Sequence, residues 1–124
     1  MNIALWILQV ILGAAFVTHA YLMLRPDEDQ LRERGMTYIL GIPAGLRAFT
    51  ATAEGIGGLA LVLPPLLHLV TWFTPVAALG LVTVMLGAIV LHVRRREYPN
   101  LALNGFLLLL AAVVAWGRLG PYRF

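Results

Sequence analysis

Apolar and polar positions alternate along the chain in long blocks: four extended apolar runs separated by short polar breaks. The runs cover about Ile3 to Leu24, Pro43 to Leu63, Thr74 to Val93 and Asn100 to Gly117. Each is about twenty residues long, enough for a helix rising about 1.5 Å per residue to cross a hydrocarbon core about 30 Å thick. The pattern predicts an all-α protein, a four-transmembrane-helix bundle with short loops and both termini on the same side. Residues 1–124 then form a single membrane domain with no room for a separate soluble one.

Within the runs, the spacing of the less apolar positions predicts which faces turn inward. In the first, Gln9, Gly13, Phe16, Ala20 and Met23 follow helical spacing, with Leu12 and His19 on the flanks of that face. In the second, Arg47, Thr50, Ala51, Glu54 and Gly58 make one small and polar wall, opposite Phe49, Ile56 and Leu63. Gly13, Gly55, Gly58, Gly80 and Gly87 are expected to let helices approach closely.

The breaks carry their own signals. Arg25 to Tyr38 contains RPDEDQLRERG, which predicts a short surface helix with a Glu28–Arg32 pair, ended by Gly35. Pro43 suits a first helical position and Pro64-Pro65 is expected to stop the second span. The link from Leu66 to Phe73, with His68 and Trp72, suits the membrane interface. Thr74-Pro75 reads as an N-cap and first-turn pair opening the third span, and Pro99-Asn100 opens the fourth.

Composition confirms the medium. The chain is 60% hydrophobic and only 12% charged, well below the charge of soluble domains, and its mean hydropathy is +0.85. The basic excess comes from arginine alone and flanks apolar spans without forming a stripe, so it indicates topology and no nucleic-acid partner. Arg25, Arg32, Arg34, Arg94, Arg95 and Arg96 lie in the loops after the first and third spans, against Arg118 and Arg123 on the other side. The positive-inside rule then predicts a multi-pass protein of the cytoplasmic membrane with its termini outside. The first run lacks a basic leader and a small-x-small cleavage site, so it reads as a retained span. LGAAFVTH in the first span and LGAIVLH in the third form a weak internal echo, which would fit two related hairpins.

Candidate chemistry centres on Glu54, since a carboxylate near the bilayer midplane costs about 2.5 kcal/mol or more and usually faces a protein interior or a wet cavity. Arg47 lies two turns away on the same face and would reach it only by bending or through a bridging water or ligand. His19, Arg47, His92 and Asn104 all fall within about 10 Å of the charged-loop surface, with Glu54 deeper, so every span contributes to a polar layer. Each has a plainer reading: His92 and Arg47 at headgroup level, Asn104 as interhelical glue, Glu54 as a neutral or ion-paired structural acid. His19, His92 and Glu54 together would suit non-haem iron, but the chain has no H-x-x-x-H or E-x-x-H spacing, so no metal is assigned. No cysteine and no serine is present, which excludes thiol chemistry and a serine triad; redox work would need a bound cofactor or another subunit.

The blocks LRAFTATAEGIGGLALVLPPL, TPVAALGLVTVMLGAIVLHVRRRE and NLALNGFLLLLAAVVAWGR together resemble the DoxX-like family of small four-helix membrane proteins. The resemblance carries over to Arg47, Glu54, His92 and Asn104. It departs in the first span, where such proteins have a glycine stretch leading to a lysine and this chain has VTHAYLMLR, so it assigns no role to His19 or Arg25. Relatives include a thiosulfate:quinone oxidoreductase subunit, a component of oxidative-stress complexes and a receptor assembly chaperone, which are different classes of function.

The expected function is therefore the binding of a small apolar ligand, quinone-like or lipid, in a polar-lined intramembrane pocket of a redox or stress-response subunit. Arg47, Glu54, Asn104 and His92 would hold the ligand, with Glu54 as acid or base and His92 or His19 relaying protons. A non-catalytic assembly or interaction protein is the alternative, and a stand-alone enzyme using Glu54 a third. Membrane lipid, a second copy or a partner subunit are the expected neighbours.

Overall fold

The computed structural model describes residues 2–24, 28–33, 42–96 and 98–124. They form α1 (Asn2–Leu24), α2 (Glu28–Glu33), α3 (Ala44–Leu66), α4 (Phe73–Arg94) and α5 (Tyr98–Leu119). All but α2 are long and apolar enough to cross a membrane. The helices pack as a ring: α1 on α3, α3 on α4, α4 on α5, with α5 closing more lightly on α1. The short α2 lies at the same end as the α4–α5 connection, and both described termini lie at the other. Gly35, Arg25 and Arg34 lie outside the described residues, as does the side chain of Glu28.

Periodicity locates the inner faces correctly because it is a local property of a helix. On α1 the buried residues are Leu5, Gln9, Leu12, Gly13, Phe16, Ala20 and Met23. On α3, Ala51, Glu54 and Gly58 are buried, while Phe49, Ile56 and Leu63 face outward. The apolar core, built on Leu12, Phe16, Leu61, Leu81, Met85 and Val114, joins all four long helices. Lipid is as apolar as these side chains, so what brings the helices together is close packing more than transfer out of water.

Helices α1 and α3 meet backbone to backbone. A Cβ on Gly13 would come within 2.8 Å of the Gly58 carbonyl oxygen, and one on Gly58 within 2.9 Å of that of Gly13. Only glycine admits two backbones at this distance. Gly55 makes ordinary contact with Ala20, whereas Gly80 and Gly87 face open space, so the expectation that those two serve close packing is corrected. The echo between the first and third spans is likewise not a structural equivalence at its glycines, since Gly13 is packed and Gly87 is not.

Two expected boundaries move for one reason. Pro64 and Pro65 do not stop the helix; α3 runs on to Leu66 with both inside its last turn. A proline removes the N–H that would bond the carbonyl four residues back, which here frees Ala60 and Leu61. Both carbonyls are satisfied from other helices: Thr74 Oγ1 of α4 donates to Ala60 O at 2.9 Å, and Gln9 Nε2 of α1 donates to Leu61 O at 2.6 Å. Thr74 is therefore not an N-cap. The helix begins one residue earlier, at Phe73, and the threonine is buried in the α3–α4 interface. Between the helices the chain turns tightly, with His68 and Val70 at φ of 55° and 40°, and Trp72 is exposed where an interfacial ring belongs.

Candidate functional site

The small, polar face of α3 and the flank of α1 meet at a hydrogen-bonded His19–Glu54 pair. His19 Nδ1 lies 2.6 Å from Glu54 Oε2. Glu54 is 2% exposed, and the His19 side chain 33%, so the acid is enclosed while its partner reaches the edge of the bundle. A carboxylate in this setting is tolerable when a positioned donor meets it, and at 2.6 Å the His19 ring supplies one when its proton sits on Nδ1. The pair can hold a proton between a carboxylate and a ring nitrogen, or present a hydrogen bond to the polar head of a bound molecule.

Glu54 is thus joined to His19 and not to Arg47, the partner considered from the sequence. The cause is the offset between antiparallel helices. Gly13 opposite Gly58, His19 opposite Glu54 and Ala20 near Gly55 fix the register of α1 on α3. Carried along the helix, it sets Arg47 about two residues past the level of Leu24, the last residue of α1. Arg47 is half-buried at that border, as a snorkelling arginine would be.

The same reasoning divides the expected polar layer in two. Leu81 against Gly57 and Thr74 on Ala60 set the register of α4, and place His92 about ten residues, or about 15 Å, nearer the loop end than Glu54. His92 is buried there, in the last turn of α4. Leu5 against Gly117 sets α5 and brings Asn104 within about one residue of the level of His19. The Asn104 Nδ2 is buried without a hydrogen-bond partner. His19, Glu54 and Asn104 therefore share one level, and Arg47 and His92 another.

Among the described residues no group of three or more His, Asp or Glu side chains is placed to hold a metal, so His19, His92 and Glu54 do not converge as an iron set. Clefts open on the surface of the described residues at two places of note. One, of about 300 Å³, lies between α1 and α3 over Gly13 and Gly58, and is lined by Val17, Thr18, Leu59 and Val62. The other, of about 420 Å³, lies at the termini end. Neither includes Glu54 or His19 in its lining.

The sequence profile of the DoxX-like family matches residues 7–114, which take in most of each span and every residue of the polar layer. The chain belongs to the DoxX-like family. No curated protein and no solved structure matches it. With four spans and this membership, the DoxX-like chain is a multi-pass integral membrane protein.

A second polar cluster in this DoxX-like chain was not anticipated from the sequence. Arg118, counted there with Arg123 among the basic residues flanking the spans, is 3% exposed inside the bundle. Its Nε donates to Gln9 Oε1 at 2.7 Å, and its Nη1 to Asn2 Oδ1 at 2.5 Å and the Tyr122 carbonyl at 2.9 Å. Phe124 stacks over the guanidinium at 4.0 Å and Trp6 lies 5.7 Å away. Through Gln9 this cluster reaches the Leu61 carbonyl freed by Pro65, so α1, α3 and α5 are tied at one point. The available signal was Gln9 on the inward face of an apolar span, a residue that must find partners there.

Proposed function

We propose that this DoxX-like protein binds a small apolar molecule with a polar head, a quinone or a lipid, at the His19–Glu54 pair, as a subunit of a membrane-linked redox or stress-response system. The observation that carries the reading is the 2.6 Å pair between an enclosed carboxylate and a histidine one-third exposed. Such a pair can exchange a hydrogen bond or proton with a ligand head at the bundle's edge. The buried, unpartnered Asn104 Nδ2 at the same level offers a further donor. Arg47 and His92, nearer the charged loops, would act on the approach and not on the ligand head.

Mass spectrometry of the lipid extract from protein purified in mild detergent tests this directly. The parent is expected to carry a stoichiometric quinone or lipid, and Glu54→Gln and His19→Gln to lose it while melting close to the parent. A parent without ligand, or variants with full occupancy, would refute it. The second reading, a non-catalytic assembly or interaction protein in which the pair only joins α1 to α3, is favoured by the direct contact the pair makes between those two helices. Under that reading Glu54→Gln lowers the melting temperature without any ligand to lose.

A further inference from the structure

The cleft at the termini end, about 420 Å³, runs between the first turn of α4 and the last turn of α5. Thr71, Trp72, Val76, Arg118, Arg123 and Phe124 line it. Arg118 is the unusual member. Every acceptor it has is neutral, the Gln9 and Asn2 amide oxygens and the Tyr122 carbonyl, and no carboxylate among the described residues pairs with it. Its Nη2 is buried and has no hydrogen-bond partner. A guanidinium enclosed in this way, with one donor unused, is short of an anion. The Phe124 ring lies 4.0 Å over the guanidinium and also lines the cleft, so an oxyanion displacing it would break a ring contact and no hydrogen bond.

The rest of the lining fits the same charge. Arg123 is exposed and uses only Nε, on the Leu119 carbonyl. The first turn of α4 presents the positive end of a helix of 22 residues. Trp72 is exposed and Val76 half-exposed beside them, which gives a charged cleft an apolar wall at the level of the membrane interface.

We infer that this cleft binds the phosphate group of an anionic phospholipid, held between Arg118, Arg123 and the start of α4, with its acyl chains along Trp72 and Val76. Gly117 against Leu5 places Arg118 about fifteen residues, or about 22 Å, along the bundle from His19, so this site is independent of the His19–Glu54 pair. Phosphate is the recognised chemistry; the second arginine, Arg123, disfavours a headgroup that carries its own cation, and the apolar wall is what favours a lipid over the free ion.

Native mass spectrometry of the whole chain in mild detergent, titrated separately with phosphatidylglycerol, phosphatidylcholine and inorganic phosphate, tests the inference. One phosphatidylglycerol should be retained in preference to phosphatidylcholine. Arg123→Gln should weaken that retention about fivefold, the share of one basic residue near a membrane surface. Val76→Trp, which fills the cleft and leaves every hydrogen bond of Arg118 intact, should abolish it, with melting curves of both variants matching the parent. Retention of inorganic phosphate without phosphatidylglycerol would overturn the lipid assignment. Equal phosphatidylglycerol binding by parent, Arg123→Gln and Val76→Trp, or no preference over phosphatidylcholine, would overturn the site.

Discussion

Replacing Gln9 by Leu tests whether side chains from other helices stand in for the N–H groups that Pro64 and Pro65 lack. The substitution keeps the volume and deletes two bonds: Nε2 to the Leu61 carbonyl and Oε1 from Arg118 Nε. A buried carbonyl left without a partner costs about 1–3 kcal/mol, and a lost bond to a charged donor about 1.5–3 kcal/mol. Within a membrane the unfolded chain also finds partners, which reduces such terms, so the expected loss is about 1.5–3 kcal/mol in total. The decisive comparison is the same substitution in a Pro65→Ala background. An alanine in place of Pro65 restores an N–H that can bond Leu61 O within the helix, so only the Arg118 term remains. The cost of Gln9→Leu should fall by about 1 kcal/mol there, measured as a double-mutant cycle by unfolding in mixed micelles. An identical cost in both backgrounds would show that the Leu61 carbonyl does not depend on Gln9, and the account of the proline turn would be wrong.

Two further substitutions probe the packing and the pair. Gly58→Ala puts a methyl group within 2.9 Å of the Gly13 carbonyl and 3.2 Å of Phe16 Cβ, so α1 must shift and the bundle should lose about 1–3 kcal/mol. Gly87→Ala, which faces open space, should melt within about 0.5 kcal/mol of the parent or slightly above it; similar effects at the two sites would refute the close crossing. Cycles of Glu54→Gln with His19→Gln and with Arg47→Leu should show coupling of at least about 0.5 kcal/mol only for the first, and coupling to Arg47 alone would overturn the pairing.

The features legible in the amino-acid order are those that repeat along a single helix. Length and apolarity set the four spans, and spacing of three and four set the inner faces of α1 and α3, including Glu54 inward and Phe49 outward. The second-span block with Arg47 and Glu54, the third-span block ending in His92 and its arginines, and the Asn104 helix sufficed for the family. What touches Glu54 was not legible, because the answer depends on how far antiparallel α1 is slid along α3. That offset is set by the meeting of Gly13 and Gly58, and a shift of about one turn would have brought a different side chain to the acid. Proline was read as a stop because the local rule counts only bonds within the helix. The two freed carbonyls are met by Thr74, 14 residues from its acceptor, and Gln9, 52 residues from its own. Arg118 joins Gln9 across 109 residues, a contact that exists only once α5 closes the ring on α1. Local periodicity fixes which way a side chain faces; the offset between helices and the closure of the ring decide what it meets.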